Sequence, residues 1–212
     1  MKTIYFVRHG ESETNAGPVR VGDNATLTER GREQATFIAE RCHSLPINIV
    51  ISSTVGRAKE TAKIINNKLQ KPLEYSDLFV ERRRPSGQIG VSKDNPESLK
   101  AEKAIWENYC VPGWHYSDEE NFEDIKDRAK RAMRFLENRP EENILVVTHG
   151  FFLRIIMAYV TFGSDVPAEA GELFVNKFHM ANSGLTILKY DEQSKRTPWW
   201  LWTWNDHAHL AE

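Results

Sequence analysis

The residues from Ile4 to Asn15 constrain this chain more than any others: Ile4-Tyr5-Phe6-Val7, followed at once by Arg8-His9-Gly10-Glu11-Ser12-Glu13-Thr14-Asn15. Four branched and aromatic apolar residues predict a short buried strand. A cation, an imidazole and a glycine stand where that strand must stop. In open α/β sheets the carboxyl ends of the strands are where ligands bind. The same junction recurs far along the chain, where Ile144-Leu145-Val146-Val147 runs into Thr148-His149-Gly150.

Between these junctions the chain alternates strand and helix signals. Residues 16–25 carry two glycines and a proline and read as a loop over the strand edge. Thr28 reads as an N-cap with Glu29 in the first turn, and Ala35, Ile38, Ala39 and Cys42 recur at helical spacing, so a helix is expected over 29–44. Pro46 ends it before a second strand at 47–51. A helix over 55–69 then places Arg57 in its first turn, just beyond that strand's carboxyl end. A short strand near 73–75 leads into Leu78-Phe79-Val80-Glu81, read as a second apolar strand end. Residues 82–120 open with Arg82-Arg83-Arg84-Pro85 and lose periodicity. They are expected to form a small lid inserted after the third or fourth strand. Helices are expected at 96–109 and 121–138, a strand at 144–147, a buried helix at 151–159, and strands near 174–180, 184–190 and 198–204. The alternation predicts one domain over 1–212, a three-layer α/β/α fold with a mainly parallel central sheet.

Composition narrows the partners. A chain of 212 residues can bury a sizeable core. Its net charge of −2 offers no global attraction for nucleic acid or membrane surfaces, and none is expected as a partner. Any anion must be held by locally clustered arginines. The apolar run at 151–162 contains Arg154 and is too short to span a bilayer. The start is too short for a signal peptide. Cys42 and Cys110 lie outside any Cys-x-x-Cys or Cys/His cluster, so they read as reduced cysteines of a cytoplasmic protein, with no metal site.

Arg8-His9, Arg57 and His149 are all expected at one sheet edge. Guanidinium forks match phosphate oxygens. A neutral imidazole can attack phosphorus, provided its other nitrogen donates to a fixed acceptor; a backbone carbonyl near Gly10 is the candidate. Arg8, Arg57 and His149 could neutralise the equatorial oxygens without a metal or other cofactor. Glu81 is the candidate acid for a leaving alkoxide.

Taken together, the pieces resemble the histidine phosphatase superfamily, also called phosphoglycerate mutase-like. They are Arg8-His9-Gly10-Glu11-Ser12 with Asn15; Leu27-Thr28-x-x-Gly31-x-x-Gln34-Ala35; Ser52-Ser53 with Arg57-Ala58-x-x-Thr61-Ala62; Glu81; and Thr148-His149-Gly150. The resemblance implies that His9 becomes phosphorylated, that Arg8, Arg57 and His149 hold the phosphoryl group, and that Glu81 donates the proton. It also places Asn15 beside the phosphate, and Asn182 at a recurring family position without a catalytic role.

Each assignment has a plainer rival. His149 could cap the following helix. Glu81 could be a structural ion-pair residue, since Arg82-Arg83-Arg84-Pro85 replaces the Gly- and Trp-containing stretch that many members carry there. Burial behind Leu78-Phe79-Val80 would raise its pKa, whereas Arg8, Arg57 and Arg82 would lower it. Arg82, Arg83 and Arg84 are candidates for binding a second anionic group, and Gly150 a candidate substrate contact. His43, His115, His179, His207 and His209 read as structural or exposed. Trp199, Trp200, Trp202 and Trp204 read as a terminal strand packing on the sheet. The expected function is a metal-independent phosphatase acting on small phosphomonoesters through a phosphohistidine on His9. The alternatives are a phosphoglycerate mutase-type transfer and a non-catalytic phospho-ligand-binding module.

Overall fold

The first strand is apolar along its length because both of its faces are covered. In the computed structural model, which describes residues 1–210, β1 (Lys2–Arg8) directs Ile4 and Phe6 into one hydrophobic core and Tyr5 and Val7 into another. The last two residues of the expected 1–212 domain lie outside the described residues. Fully burying side chains of this size contributes about 1.5–3 kcal/mol each.

Beyond β1 the chain forms α1 (Glu13–Ala16), α2 (Glu29–His43), β2 (Ile49–Ser52), α3 (Gly56–Leu69), β3 (Leu73–Tyr75), α4 (Pro96–Glu107), α5 (Phe122–Glu137), β4 (Asn143–Thr148), α6 (Gly150–Phe162), α7 (Ala168–Lys177), β5 (Leu185–Tyr190) and β6 (Trp199–Asp206). The six strands make one sheet in the order β3-β2-β4-β1-β5-β6. β3, β2, β4 and β1 are parallel, and β5 and β6 run antiparallel at one side. Helices α2 and α3 supply Ile38, Ala39, Ala58, Ala62 and Ile65 to the core beneath one face. Helices α5, α6 and α7 cover the other with Ile125, Met133, Phe152, Ile156 and Val175. This is the mixed α/β/α layering expected from the sequence.

Two elements differ from expectation. Residues 174–180 were expected as a strand, but Ala168–Lys177 is helical. Pro167 stands at its N-cap and Glu169 in its first turn, and Phe174 stacks on Phe178, four residues later, with ring centroids 4.4 Å apart. Leu78-Phe79-Val80-Glu81 is not a strand end either. A single 3-10 turn spans Asp77–Phe79, with Ser76 Oγ accepting from Leu78 N. The carbonyl of Phe79 accepts instead from Thr148 Oγ1 of β4 at 2.8 Å.

The insertion between β3 and β4 reaches back to the loop after α1. Lys93 Nζ donates to the carbonyls of Thr14 and Gly17, and Arg20 pairs with Glu102 of α4. On the terminal strand Trp199 is buried and bonds Glu137 through its indole N–H, whereas Trp202 faces solvent. Among the described residues no helix is long and apolar enough to cross a membrane.

Candidate active site

Strand register brings the two histidines together. β1 pairs with β4 so that Arg8 stands opposite Thr148, and each strand is followed at once by a histidine. The amide of His9 then donates to Thr148 O at 3.0 Å. The imidazoles meet edge to face, with centroids 5.0 Å apart.

The His9 ring is held at both nitrogens. Its Nδ1 lies 2.7 Å from Gly10 O. A carbonyl can only accept, so Nδ1 carries the proton and Nε2 keeps its lone pair. That lone pair accepts from Arg57 Nε at 3.1 Å. The carbonyl acceptor expected near Gly10 is therefore present. Burial holds the His9 pKa well below the usual histidine value, and Arg57, His149 and Arg8 lower it further against the opposing pull of the Gly10 hydrogen bond. The ring is neutral at neutral pH.

Arg57 enters from the first turn of α3. Its carbonyl accepts from Thr61 Oγ1, which in turn accepts from Gly10 N, so α3 and the loop after His9 are tied through one hydroxyl. Arg8 donates to Met180 O, and its Nε is buried without a partner. Burial brings the Arg8 pKa down to about 10; Glu81 opposes this, while Arg154 and Arg57 add to it. Burial also lowers that of Arg57, opposed by Glu81 and Asp23. A cluster of buried guanidiniums favours any anion placed among them.

His149 is fully buried. It occupies the N-cap position of α6, yet its side chain makes no cap bond. Its Nε2 lies 2.8 Å from Ser53 Oγ, and its Nδ1 is buried without a partner. Burial, with Arg57, Arg128 and Arg8, keeps it neutral. Glu81 takes the capping role instead. One carboxylate oxygen accepts from the amides of Arg82 and Phe152 at 3.0 Å, and the other from Phe151 N at 3.2 Å. Burial pushes the Glu81 pKa up, but Arg57 and the three amides together outweigh it, so the carboxyl sits below its usual range.

A cavity of about 1560 Å³ opens over this edge, lined among others by Arg8, His9, Asn15, Arg57, Glu81 and Arg82. Asn15 Oδ1 lies 3.3 Å from Asn182 Nδ2, which also donates to His9 O at 3.0 Å. Gly150 packs against Arg8 rather than along the cavity; a Cβ there would sit 3.1 Å from Arg8 Nε. The three consecutive arginines separate. Arg82 is buried against Phe151 and Trp106, Arg83 is mostly exposed, and Arg84 pairs with Glu102 at 2.8 Å. His209 reaches Ser183 Oγ behind the loop that holds His9 and is structural. Among the described residues no group of three or more His, Cys, Asp or Glu side chains is arranged to hold a metal ion.

Sequence reasoning assigned no role to Ser53 or Thr61, although both stand in the quoted motifs. It also passed over Arg128, whose one signal was a charge within the apolar stripe of its helix.

A protein of Photorhabdus laumondii named probable phosphoglycerate mutase GpmB is 28% identical, covering 99% of this chain and 95% of its own. The protein of the same name from Salmonella arizonae is 29% identical over 99% and 95%. Among solved structures, Bacillus stearothermophilus YhfR superposes with a TM-score of 0.83 at 24% identity, covering 99% of this chain and 100% of its own. A mycobacterial glucosyl-3-phosphoglycerate phosphatase in complex with VO3 does so with 0.77 at 20% identity, over 97% and 100%. The family model for the histidine phosphatase superfamily (branch 1) matches residues 4–206, and the chain belongs to that superfamily.

Proposed function

We propose that the protein is a metal-independent phosphatase of small phosphomonoesters, working through a phosphohistidine on His9. The observation that carries this reading is the His9 ring itself: its proton is fixed on Nδ1 by Gly10 O and its Nε2 lone pair is held beside Arg57 in the cavity. In the first step Nε2 bonds to phosphorus as the ester P–O bond breaks, and the departing alkoxide takes a proton from Glu81. Arg8, Arg57 and His149 neutralise charge on the equatorial oxygens. In the second step water bonds to phosphorus, the N–P bond breaks, and Glu81 takes the water's proton.

Glu81 is ionised in the free protein, so its proton must arrive with the substrate. A phosphoryl anion beside it raises its pKa, and a phosphomonoester whose second ionisation lies near pH 6 can bring the proton.

The test is covalent trapping. Wild-type protein quenched during turnover should carry acid-labile, base-stable phosphate that the His9→Ala variant lacks. Equal labelling of both proteins rejects the mechanism.

The curated relatives' shared name favours a second reading, a mutase that returns the phosphoryl group to product. That chemistry needs a bisphosphate kept in a closed basic pocket. Against it, the cavity is larger than the ~300–1,000 Å³ usual for small-molecule sites, and Arg84 at its wall is already paired with Glu102. A phosphoglycerate mutase assay with bisphosphate primer separates the two, since only a mutase isomerises its substrate faster than it releases inorganic phosphate.

A further inference from the structure

Arg128 is a charged residue on the buried face of α5, among Ile125, Ala129 and Ala132. Its guanidinium is used completely, and three of its five bonds go to one stretch of chain. Nη1 donates to Val80 O at 2.7 Å and to Leu78 O at 3.3 Å, and Nη2 donates to Glu81 O at 3.3 Å. Its plane lies over the ring of Phe152, 4.1 Å from the centroid. The other edge of the fork is held by Glu120, which accepts from Nε and Nη2 at 2.7 Å each. Glu120 is itself buried and holds the same stretch from the far side. Its Oε2 accepts from Arg83 N at 3.0 Å, and its amide donates to Arg83 O at 3.1 Å.

The stretch so held, Leu78 to Arg83, has no strand or helix to fix it beyond the single turn at Asp77–Phe79. Three consecutive-region carbonyls and one amide, which a strand would satisfy in a ladder, are satisfied here by two side chains. Phe152 links the clamp to the chemistry: its ring lies under Arg128 while its amide donates to the Glu81 carboxylate. From these contacts we propose that Arg128 and Glu120 form a buried clamp that positions Glu81 for proton transfer. This rests on Glu81 acting as the acid in the proposed reaction. Arg128 lines the cavity but its donors are taken up by backbone carbonyls and by Glu120, so it is a positioning residue.

A positioning role predicts a defect confined to the step that needs the proton. Esters of poor alkoxide leaving groups require protonation, whereas activated phenols leave as stable anions. The experiment compares kcat/KM for an alkyl phosphate and for p-nitrophenyl phosphate in wild type, Arg128→Lys, Glu120→Gln and Glu81→Gln. Lysine keeps the charge but cannot span Val80, Glu81 and Glu120 at once. The ratio of the two substrates is independent of how much protein is correctly folded, so partial destabilisation of a variant does not blunt the test. The expected result is an alkyl-to-aryl ratio reduced at least tenfold in Arg128→Lys, in the same direction as in Glu81→Gln, with a smaller reduction in Glu120→Gln. A reduced ratio in Glu81→Gln but a wild-type ratio in both clamp variants overturns the clamp alone. A wild-type ratio in all three overturns the assignment of Glu81, and the clamp with it.

Discussion

Gly10 and Gly31 meet backbone to backbone. A Cβ on Gly10 would lie 2.3 Å from Gly31 O, and a Cβ on Gly31 would lie 1.9 Å from Glu11 O. The residue that follows the candidate nucleophile is thus pressed against the first turn of α2, whose N-cap Thr28 accepts from Gly31 N and donates to the Glu11 carboxylate. Two motifs that stand apart in the sequence form one packed joint, and it fixes the carbonyl that holds His9 Nδ1. Gly31→Ala should therefore affect more than stability. Overpacking against backbone costs about 1–3 kcal/mol or more, and here it falls on the backbone of Glu11, which is bonded directly to Gly10. The expected outcome is a lowered unfolding midpoint together with a fall in kcat in the fraction that remains folded. Full activity in a folded Gly31→Ala protein would show that the joint does not set the ring.

The two buried imidazoles make the fold sensitive to acid. Both have folded-state pKa values well below 6.5, so the folded protein binds fewer protons than the unfolded chain. Their contribution is complete above the unfolded value and is lost as pH falls below it. Unfolding free energy measured by denaturant in phosphate-free buffer should decline from about pH 6.5 towards pH 5. Each group can add up to about 1.4 kcal/mol per pH unit to the slope. His9→Ala removes one of them, and its stability should fall less steeply over the same range. Identical slopes for the two proteins would refute the account.

Anion binding offers a check that needs no substrate. Burial disfavours the charged forms of Arg8 and Arg57, and an anion between them would offset that penalty. Phosphate or vanadate should raise the melting temperature, by mass action equivalent to about 2.7 kcal/mol at a hundredfold excess over Kd. Arg57→Ala should abolish most of the shift, and EDTA should leave both the shift and turnover unchanged. Loss of turnover on chelation, restored by a divalent cation, would count against the mechanism.

How much of this was legible depends on how local each cause is. The strands at β1, β2 and β4 are apolar runs that end abruptly, so their carboxyl ends, and the histidines beyond β1 and β4, could be read directly. Arg57 followed from the helix that starts after β2. The charge state of Glu81 could not be read: Arg57 was legible as a lowering influence against burial, but the Phe151 and Phe152 amides that join it and Arg82 N lie some seventy residues downstream. The same contact resolves the rival reading of His149: the helix cap exists, but Glu81 supplies it. Residues 174–180 misled because Phe174, Val175 and Phe178 suit either a strand or a helix face, and Pro167 as a helix start lies outside that window. Asn182 was recognisable only as a recurring position, and its bonds to His9 O and Asn15 Oδ1 appear only once the chain is folded.

Arg82 differs from its two neighbours in its surroundings. Its guanidinium lies 4.6 Å from the ring centroid of Phe151 and 5.8 Å from that of Trp106, lines the cavity beside Glu81, and has a buried Nη1 without a partner. Burial and the nearby Arg84 disfavour its charge, with Glu102, Tyr109 and Glu81 opposing them. A cation fixed by aromatic faces and left with unused donors fits a second acidic group on the substrate, a carboxylate or another phosphate. Hydrogen bonds to charged groups contribute about 1.5–3 kcal/mol, or roughly ten- to a hundredfold in affinity. Arg82→Met keeps the side chain's bulk between the rings and removes only its charge and donors. It should raise KM for a phosphomonoester bearing a second anion at least tenfold more than KM for phenyl phosphate. Arg83→Ala, at an exposed position, and Arg84→Ala, which breaks a pair with Glu102, should show much less of this selectivity. Equal rises in KM for both substrates in Arg82→Met would mean that the stack with Phe151 and Trp106 holds the cavity wall together, and that the second anion, if the substrate has one, is bound elsewhere.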